Sequence, residues 1–229
     1  EPHPSPAPDT LFTHGLNRSE TSYHETGDAR KSIRQRTNTL EDGQHKRKAM
    51  PMKKVLIITS SLRAKSNSEA LARAFARGAQ DAGNEVEICR LASLNLGYCR
   101  GCDFCQNNKG ACVLKDDAAA LLDQVEAAQV IVLATPTCYY NVSAPMKTFI
   151  DRTYARIATI TDKDFYFIAT SYDTSDSSTD GALEALHGMV RCFANCREAG
   201  VVLGLGMGPK GVAQDSPAAK AAYRMGTTV

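Results

Sequence analysis

The sequence has no apolar run approaching the roughly 18 residues that a membrane-spanning helix needs. Its first residues also lack the apolar stretch of a secretory signal. A cytoplasmic protein with no membrane attachment is therefore expected. Charge of one sign is missing too. Lys and Arg total 27 against 25 Asp and Glu, and the formal net charge of +2 gives no reason to expect nucleic acid or an anionic membrane surface as partner. Histidine is scarce where a core could form. His3, His14, His24 and His45 all precede residue 52, leaving His187 alone beyond it; a single helical histidine is expected to be structural. No internal repeat is visible, which removes solenoids and arrays.

What is present divides sharply. Residues 1–51 mix Pro, Ser, Thr and His with charges of both signs and show no apolar periodicity, so a disordered N-terminal extension is expected there. Acidic residues throughout that stretch fit a mitochondrial presequence poorly. Residues 52–229 read as one globular domain, in a chain whose 43% hydrophobic content is ample for a core.

From Val55 the pattern is that of a buried parallel sheet. Val55–Ile58 is a continuous apolar run. A helix from about Ser66 to Ala82 and a weaker strand at Glu85–Cys89 follow. Asp116 or Asp117 starts a helix running to Ala127, and Val130–Ala134 is the third strand. A helix is expected over Met146–Ile157, a strand over Phe165–Ala169, a helix over Leu183–Arg197, a strand over Val201–Leu203, and a last helix over Ala218–Met225. Five strands alternating with helices specify a doubly wound parallel α/β sheet.

Ligands of such sheets bind at the carboxyl ends of the strands, near the reversal of strand order. The loop after the first strand, Thr59 to Ser68, offers Ser61, Arg63, Ser66, Asn67 and Ser68 beside a helix start. Short donors, a cation and the unpaired N–H groups of a helix N-terminus suit a phosphate monoester; an ordinary capped helix with a solvated arginine would use the same residues. It lacks the Gly-Lys-Ser/Thr ending of a Walker A motif, and Gly204-Leu205-Gly206-Met207-Gly208-Pro209 carries Pro where a dinucleotide fingerprint needs its third Gly. In the loop after the third strand, Pro136, Thr137, Cys138, Tyr139, Tyr140 and Asn141 combine a rigid exit, aromatic faces and an amide. That set suits a planar ring, or else a subunit interface. Ser171 opens the loop after the fourth strand and joins the candidate cofactor set.

Together these stretches resemble the flavodoxin-like NAD(P)H-dependent FMN reductases, and within them the iron–sulfur flavoproteins. Ser61-Leu62-Arg63 through Ser66-Asn67-Ser68 is similar to that family's Ser-x-Arg-x-x-Ser-Asn-Thr phosphate stretch, with Ser68 in place of Thr. Thr135-Pro136 with the aromatics and Asn141-Val142-Ser143-Ala144 resembles its isoalloxazine-cradling loop, and Lys147-x-x-Ile150-Asp151-Arg152 the helix that follows. Gly200-Val201-Val202 through Ala222-Tyr223-Arg224-Met225-Gly226 fits as well. Cys138 stands where many relatives carry an aromatic or other bulky residue. The resemblance implies a flavodoxin-like fold, FMN as cofactor, NAD(P)H as reductant, and a homo-oligomer, dimer or tetramer.

Eight cysteines is a high count, and Cys99, Cys102, Cys105 and Cys112 fall within fourteen positions. Two-residue gaps point to metal ligation or redox chemistry more than to a secreted disulfide framework. Three thiolates so spaced can wrap three corners of a cubane, and the longer stretch containing Gly110 can return the fourth. The run resembles the compact motif of iron–sulfur flavoproteins, implying a 4Fe-4S cluster; zinc and free thiols stay open beside it. Cys192 and Cys196 are expected to share a helix face and pack in the core. The implied activity is hydride transfer from NAD(P)H to the flavin, then electron transfer to a quinone, another small acceptor or the cluster. The alternatives are a cluster-free quinone or FMN reductase, a flavodoxin-type carrier serving a protein partner, and a zinc-stabilised module.

Overall fold

The computed structural model describes residues 51–229; the expectations for the extension and its four histidines lie outside the described residues. Strand β1 (Lys54–Thr59) leads into helix α1 (Asn67–Asp81) and strand β2 (Glu85–Arg90). A cysteine-bearing loop holds the single turn α2 (Phe104–Asn107) and reaches α3 (Ala118–Ala127). β3 (Val130–Cys138) doubles back as the two-residue β4 (Asn141–Val142) before α4 (Ala144–Arg152). β5 (Asp164–Thr170), α5 (Asp180–Val190), β6 (Arg197–Gly204) and α6 (Pro217–Gly226) complete the order.

The strands run β2-β1-β3-β5-β6, all parallel, with β4 antiparallel to the end of β3. This is the expected doubly wound, flavodoxin-like five-stranded sheet, with strand order reversing between β1 and β3. Alternation along the strands divides the core in two. Val55, Ile57, Val130, Val132 and Ile168 face α1 and α6; Leu56, Ile58, Ile131, Leu133 and Phe167 face α3, α4 and α5. The three central strands β1, β3 and β5 are buried on both faces over most of their length, which is why their sequences are continuously apolar there, whereas the edge strands β2 and β6 are partly exposed. Glycines let α1 and α6 approach closely: a Cβ on Gly78 would lie 2.1 Å from the Tyr223 carbonyl oxygen, and one on Gly226 2.2 Å from that of Phe75.

Three elements depart from the sequence reading. α4 ends at Arg152 and tightens into a 3-10 turn over Thr153–Arg156, where one helix to Ile157 is expected. α5 stops at Val190, so Cys192 and Cys196 share no helix face. Phe193 folds back into the core and Asn195 takes φ +56°, which reverses the chain into β6. The hairpin β3–β4 is absent from the periodicity because its turn residues are Tyr139 and Tyr140, both at positive φ (50° and 59°). That geometry normally favours Asn or Gly.

Candidate functional site

Four loops at the carboxyl ends of β1, β3, β5 and β6 enclose a cleft of about 460 Å³. Its first wall is the turn into α1. Ser66 occupies the N-cap, and its hydroxyl accepts from the Glu69 N–H at 3.2 Å. Ser66 and Ser68 Oγ atoms lie 3.4 Å apart, and Ser61 Oγ accepts from Arg63 N–H at 3.3 Å. Helix start and hydroxyls thus face one cavity, the arrangement that suits an anion. Arg63 is exposed at its edge and, among the described residues, has no carboxylate partner.

The floor is a buried hydroxyl network. Ser143 Oγ donates to Ser60 Oγ at 2.8 Å, Thr135 Oγ1 accepts from the Ser143 N–H at 3.2 Å, and Ser60 N–H donates to the Ala134 carbonyl at 3.0 Å. These bonds lock the turns after β1 and β3 together. Thr137 Oγ1 donates to the Thr170 carbonyl at 3.2 Å, tying β3 to β5. Ser171 closes its own loop by accepting from the Asp173 N–H at 3.1 Å.

Nine of the sequence candidates line this cleft: Ser61, Arg63, Ser66, Asn67, Ser68, Pro136, Thr137, Cys138 and Ser171. Tyr139, Tyr140 and Asn141 do not. The tyrosines sit exposed at the hairpin tip, Tyr139 completely, and Asn141 Oδ1 accepts from the adjacent Val142 N–H at 2.8 Å. Gly181 in the first turn of α5 supports that tip closely; a Cβ there would lie 2.3 Å from the Tyr140 carbonyl oxygen. Asn67 is among the lining residues, but its side chain is spent on bonds to residues 207–213.

Sequence reasoning missed Ser60, Ser143, Tyr172 and the β6 loop residues Met207, Gly208 and Lys210. Ser143 lay inside the stretch carrying the family resemblance. The β6 loop left a usable signal in its three glycines, which the failed dinucleotide fingerprint obscured.

The second candidate site is the cysteine loop. Cys99, Cys102, Cys105 and Cys112 all edge one small cavity, with Leu114 and Tyr154. Positive φ at Gly101, Asp103, Lys109 and Gly110 winds the chain tightly enough to gather them. Cys105, on α2, is buried against the core, while Cys99 and Cys102 are exposed. Among the described residues, however, no three Cys, His, Asp or Glu side chains converge as a metal-ligand group.

The base of this loop is clamped. Arg152, at the end of α4, is 3% exposed and makes a bidentate pair with Asp116, Nη1–Oδ2 2.6 Å and Nη2–Oδ1 2.9 Å. Its Nη1 also donates to the Gly97 carbonyl at 2.8 Å, while Gly97 N–H donates to Asp116 Oδ2 at 2.7 Å. The hydrogen bond from Arg152 holds the Asp116 carboxyl below its ordinary pKa, against the opposing effect of burial. Asp117 Oδ2 accepts from Asn95 N–H at 2.7 Å. The two acids read as a helix start thus act mainly as ties across the loop. Tyr154 Oη donates to Asp103 Oδ1 at 3.1 Å, and Gln106 Nε2 to the Tyr154 carbonyl at 2.8 Å. His187 serves the core, its ring 5.4 Å from Phe167 and its Nε2 against Glu198. No helix among the described residues is long and apolar enough to cross a membrane.

Comparison with known proteins bears on the family and the fold. An iron–sulfur flavoprotein from Archaeoglobus fulgidus is 39% identical over 99 residues, 43% of this chain and 44% of that protein. One from Methanocaldococcus jannaschii is 33% identical, over 43% of this chain and 51% of its own length. The chain thus spans about half the length of the curated relatives it matches. The azoreductase from Bacillus anthracis str. Sterne superposes with TM-score 0.60 at 19% identity, covering 78% of this chain and 100% of its own. An NAD(P)H:quinone oxidoreductase from Methanothermobacter marburgensis gives 0.58 at 16%, covering 77% and 96%. At such low identity these two structures speak for the fold alone. The model of the NADPH-dependent FMN reductase family matches residues 53–203, and a match over that much of the sequence places this chain in that family.

Proposed function

We propose that this chain binds FMN in the four-loop cleft and uses it as an NAD(P)H-dependent oxidoreductase, passing electrons to a quinone or another small acceptor. The observation that carries the reading is the cleft's composition. A capped helix start, the Ser61, Ser66 and Ser68 hydroxyls and the Arg63 cation share one wall, opposite the rigid Pro136–Cys138 exit of β3. The chemistry of that donor set fits a phosphate monoester attached to a planar ring.

Bound FMN would supply a hydride acceptor at N5 and an electron donor to the second substrate, so no side-chain acid or base is required. The chain's own work is positional. Ser61, Ser66, Ser68 and Arg63 hold the phosphate, and the Ser60–Ser143–Thr135 network fixes the distance between phosphate turn and ring loop. Tyr172, Tyr139, Tyr140 and Leu62 leave apolar surface exposed around the rim. That exposure supports the homo-oligomer, because a second copy would bury it.

The finer reading gives Cys99, Cys102, Cys105 and Cys112 to a 4Fe-4S cluster. Two things support it: the names of the relatives, and four thiols around one cavity. Cluster ligation would require the loop to draw its thiols closer. The division into residues 1–51 and a domain of 52–229, and a place in the cytoplasm, belong to the same proposal.

Anaerobic purification followed by a visible spectrum, iron and sulfide analysis, and NAD(P)H oxidation with a quinone tests all of this. Flavin absorption that Arg63→Ala weakens at least several-fold in FMN affinity is expected. A colourless protein after reconstitution with excess FMN refutes the function. Flavin without iron or sulfide refutes the cluster only, leaving the cluster-free reductase.

A further inference from the structure

Two charged side chains among the described residues line the cleft, Arg63 and Lys210, and both are cations. Among the described residues no carboxylate lines it and neither cation forms an ion pair. Arg63 belongs to the phosphate turn. Lys210 enters from the loop after β6 and is exposed at the rim. A cofactor phosphate held by hydroxyls, helix N–H groups and Arg63 leaves the second cation unaccounted for.

That second cation is deliberately placed. Asn67 Nδ2 donates to the Met207 and Pro209 carbonyls, both at 2.8 Å, and Asn67 Oδ1 accepts from Gly211 N–H at 3.1 Å and Ala213 N–H at 3.3 Å. An amide has two donor hydrogens and two acceptor lone pairs, so this side chain is fully spent on the loop and has nothing left for a ligand. The loop is tied from the other side as well. Gly206 N–H donates to the Asp173 carbonyl at 2.8 Å, and Met207 N–H to that of Ser171 at 2.7 Å. Gly208 lies so close to Tyr172 that a Cβ would meet its ring at 2.5 Å. A segment this firmly docked sets the root of a long, flexible lysine at the mouth of the cleft.

We propose that Lys210, seated by the Asn67 clasp, is the recognition residue for a phosphate group of the incoming pyridine nucleotide. This rests on the FMN-dependent function proposed above. An unpaired cation at the solvent edge meets the ligand that arrives from solvent, after the resident cofactor has filled the interior. NADH and NADPH share a diphosphate, and only NADPH adds the 2′-phosphate; either is a dense anion within the chemistry of a lysine. Asn67 is a positioning residue that acts through the loop.

The test uses FMN-loaded full-length protein as wild type, Lys210→Gln, Lys210→Arg and Asn67→Asp. Calorimetric titration with the unreactive probes ADP and 2′,5′-ADP is paired with KM for NADH and NADPH. Loss of one charge-assisted contact predicts dissociation constants and KM values about ten-fold higher in Lys210→Gln, largely restored in Lys210→Arg. A change confined to 2′,5′-ADP and NADPH assigns the 2′-phosphate, a change confined to ADP, NADH and NADPH assigns the diphosphate, and an equal change in all four ligands assigns the adenosine 5′-phosphate that they share. In Asn67→Asp, which keeps the acceptor and loses both donors, KM rises in the same direction. Amide exchange at residues 207–213 quickens as well.

Unchanged probe binding in Lys210→Gln overturns the inference. So does a variant that loses FMN affinity yet binds both probes normally once loaded, since Lys210 would then serve the flavin phosphate. Wild-type protein that takes up no FMN, or oxidises neither nucleotide, refutes the underlying function and this inference with it. Normal wild-type behaviour with a silent Lys210→Gln refutes the inference alone.

Discussion

The cleft and the cysteine loop are built by opposite strategies. Four strand ends carry the cleft's walls, and bonds run between those walls as well as within them: Ser143 to Ser60, Thr137 to the Thr170 carbonyl, Asn67 to the β6 loop. The cysteine loop is fixed chiefly at its root, where Arg152 holds Gly97 and Asp116 together, while Cys99 and Cys102 stand exposed beyond. A ligand of fixed shape gains most from a site that needs no rearrangement. Thiolates can instead be drawn together by the metal they bind, since ligation itself supplies ordering energy. Helix α4 belongs to both regions, with Ser143 just before its first turn and Arg152 at its last residue.

Breaking the clamp should separate the two regions most strongly. Arg152→Met leaves Asp116 buried without its bidentate partner, and removing one member of a buried pair costs about 3–5 kcal/mol. Denaturant unfolding should register that loss, and amide exchange should rise across residues 97–116 well before it rises at Ser60 or Ser143. The pH dependence has a definite sign. The folded Asp116 pKa is depressed, so its contribution is complete above the unfolded value of about 3.9. It disappears as pH falls through the lower folded value. Wild type should therefore lose stability on that acid limb, and Arg152→Met should show a flatter one. Equal acid slopes in the two proteins would mean the pair is not what holds the loop root.

The same contrast governs what the sequence disclosed. Strands such as Val130–Ala134 were legible because burial on both faces demands an unbroken apolar run, a signal local to the strand. The turn into α1 was legible as a candidate anion site because Ser66, Asn67 and Ser68 combine helix-capping and anion chemistry in adjacent positions, and the structure places all three on the cleft. Lys210 was not, since its relation to the cleft passes through Asn67, more than 140 residues away. Arg152 was placed on a helix correctly, yet its partner Asp116 looked like an ordinary cap. A buried pair 36 residues apart leaves no periodicity to read. Tyr139 and Tyr140 differ from the expectation for a conformational reason: both are left-handed residues of the hairpin turn, exposed at its tip and outside the cleft lining.

A smaller effect should follow from loosening the cleft itself. Ser143→Ala deletes the 2.8 Å bond to Ser60 Oγ within a buried network, leaving a polar partner under-satisfied at a cost of about 1–2 kcal/mol. Chemical denaturation gives the stability change, and flavin-fluorescence quenching should show FMN affinity reduced several-fold. Exchange across residues 97–116 should stay at the wild-type level. Acceleration there would show that α4 transmits disorder from one site to the other, and that the regions are coupled.

The smallest effect is expected from the neighbouring ion pair on the same helix. Lys147 Nζ lies 2.5 Å from Asp151 Oδ1, an i,i+4 pair whose side chains are 58% and 44% exposed. Water already solvates both charges well, and the Lys-before-acid order opposes the helix dipole, so Lys147→Ala should cost no more than about 0.5 kcal/mol. What little it costs should shrink in high salt. Asp151 and Arg152 are adjacent in sequence, so burial and partner geometry, not position along the helix, are what distinguish the two substitutions. If Lys147→Ala destabilised the protein as much as Arg152→Met, general weakening of α4 would explain both results, and the clamp would lose its claim to hold the cysteine loop.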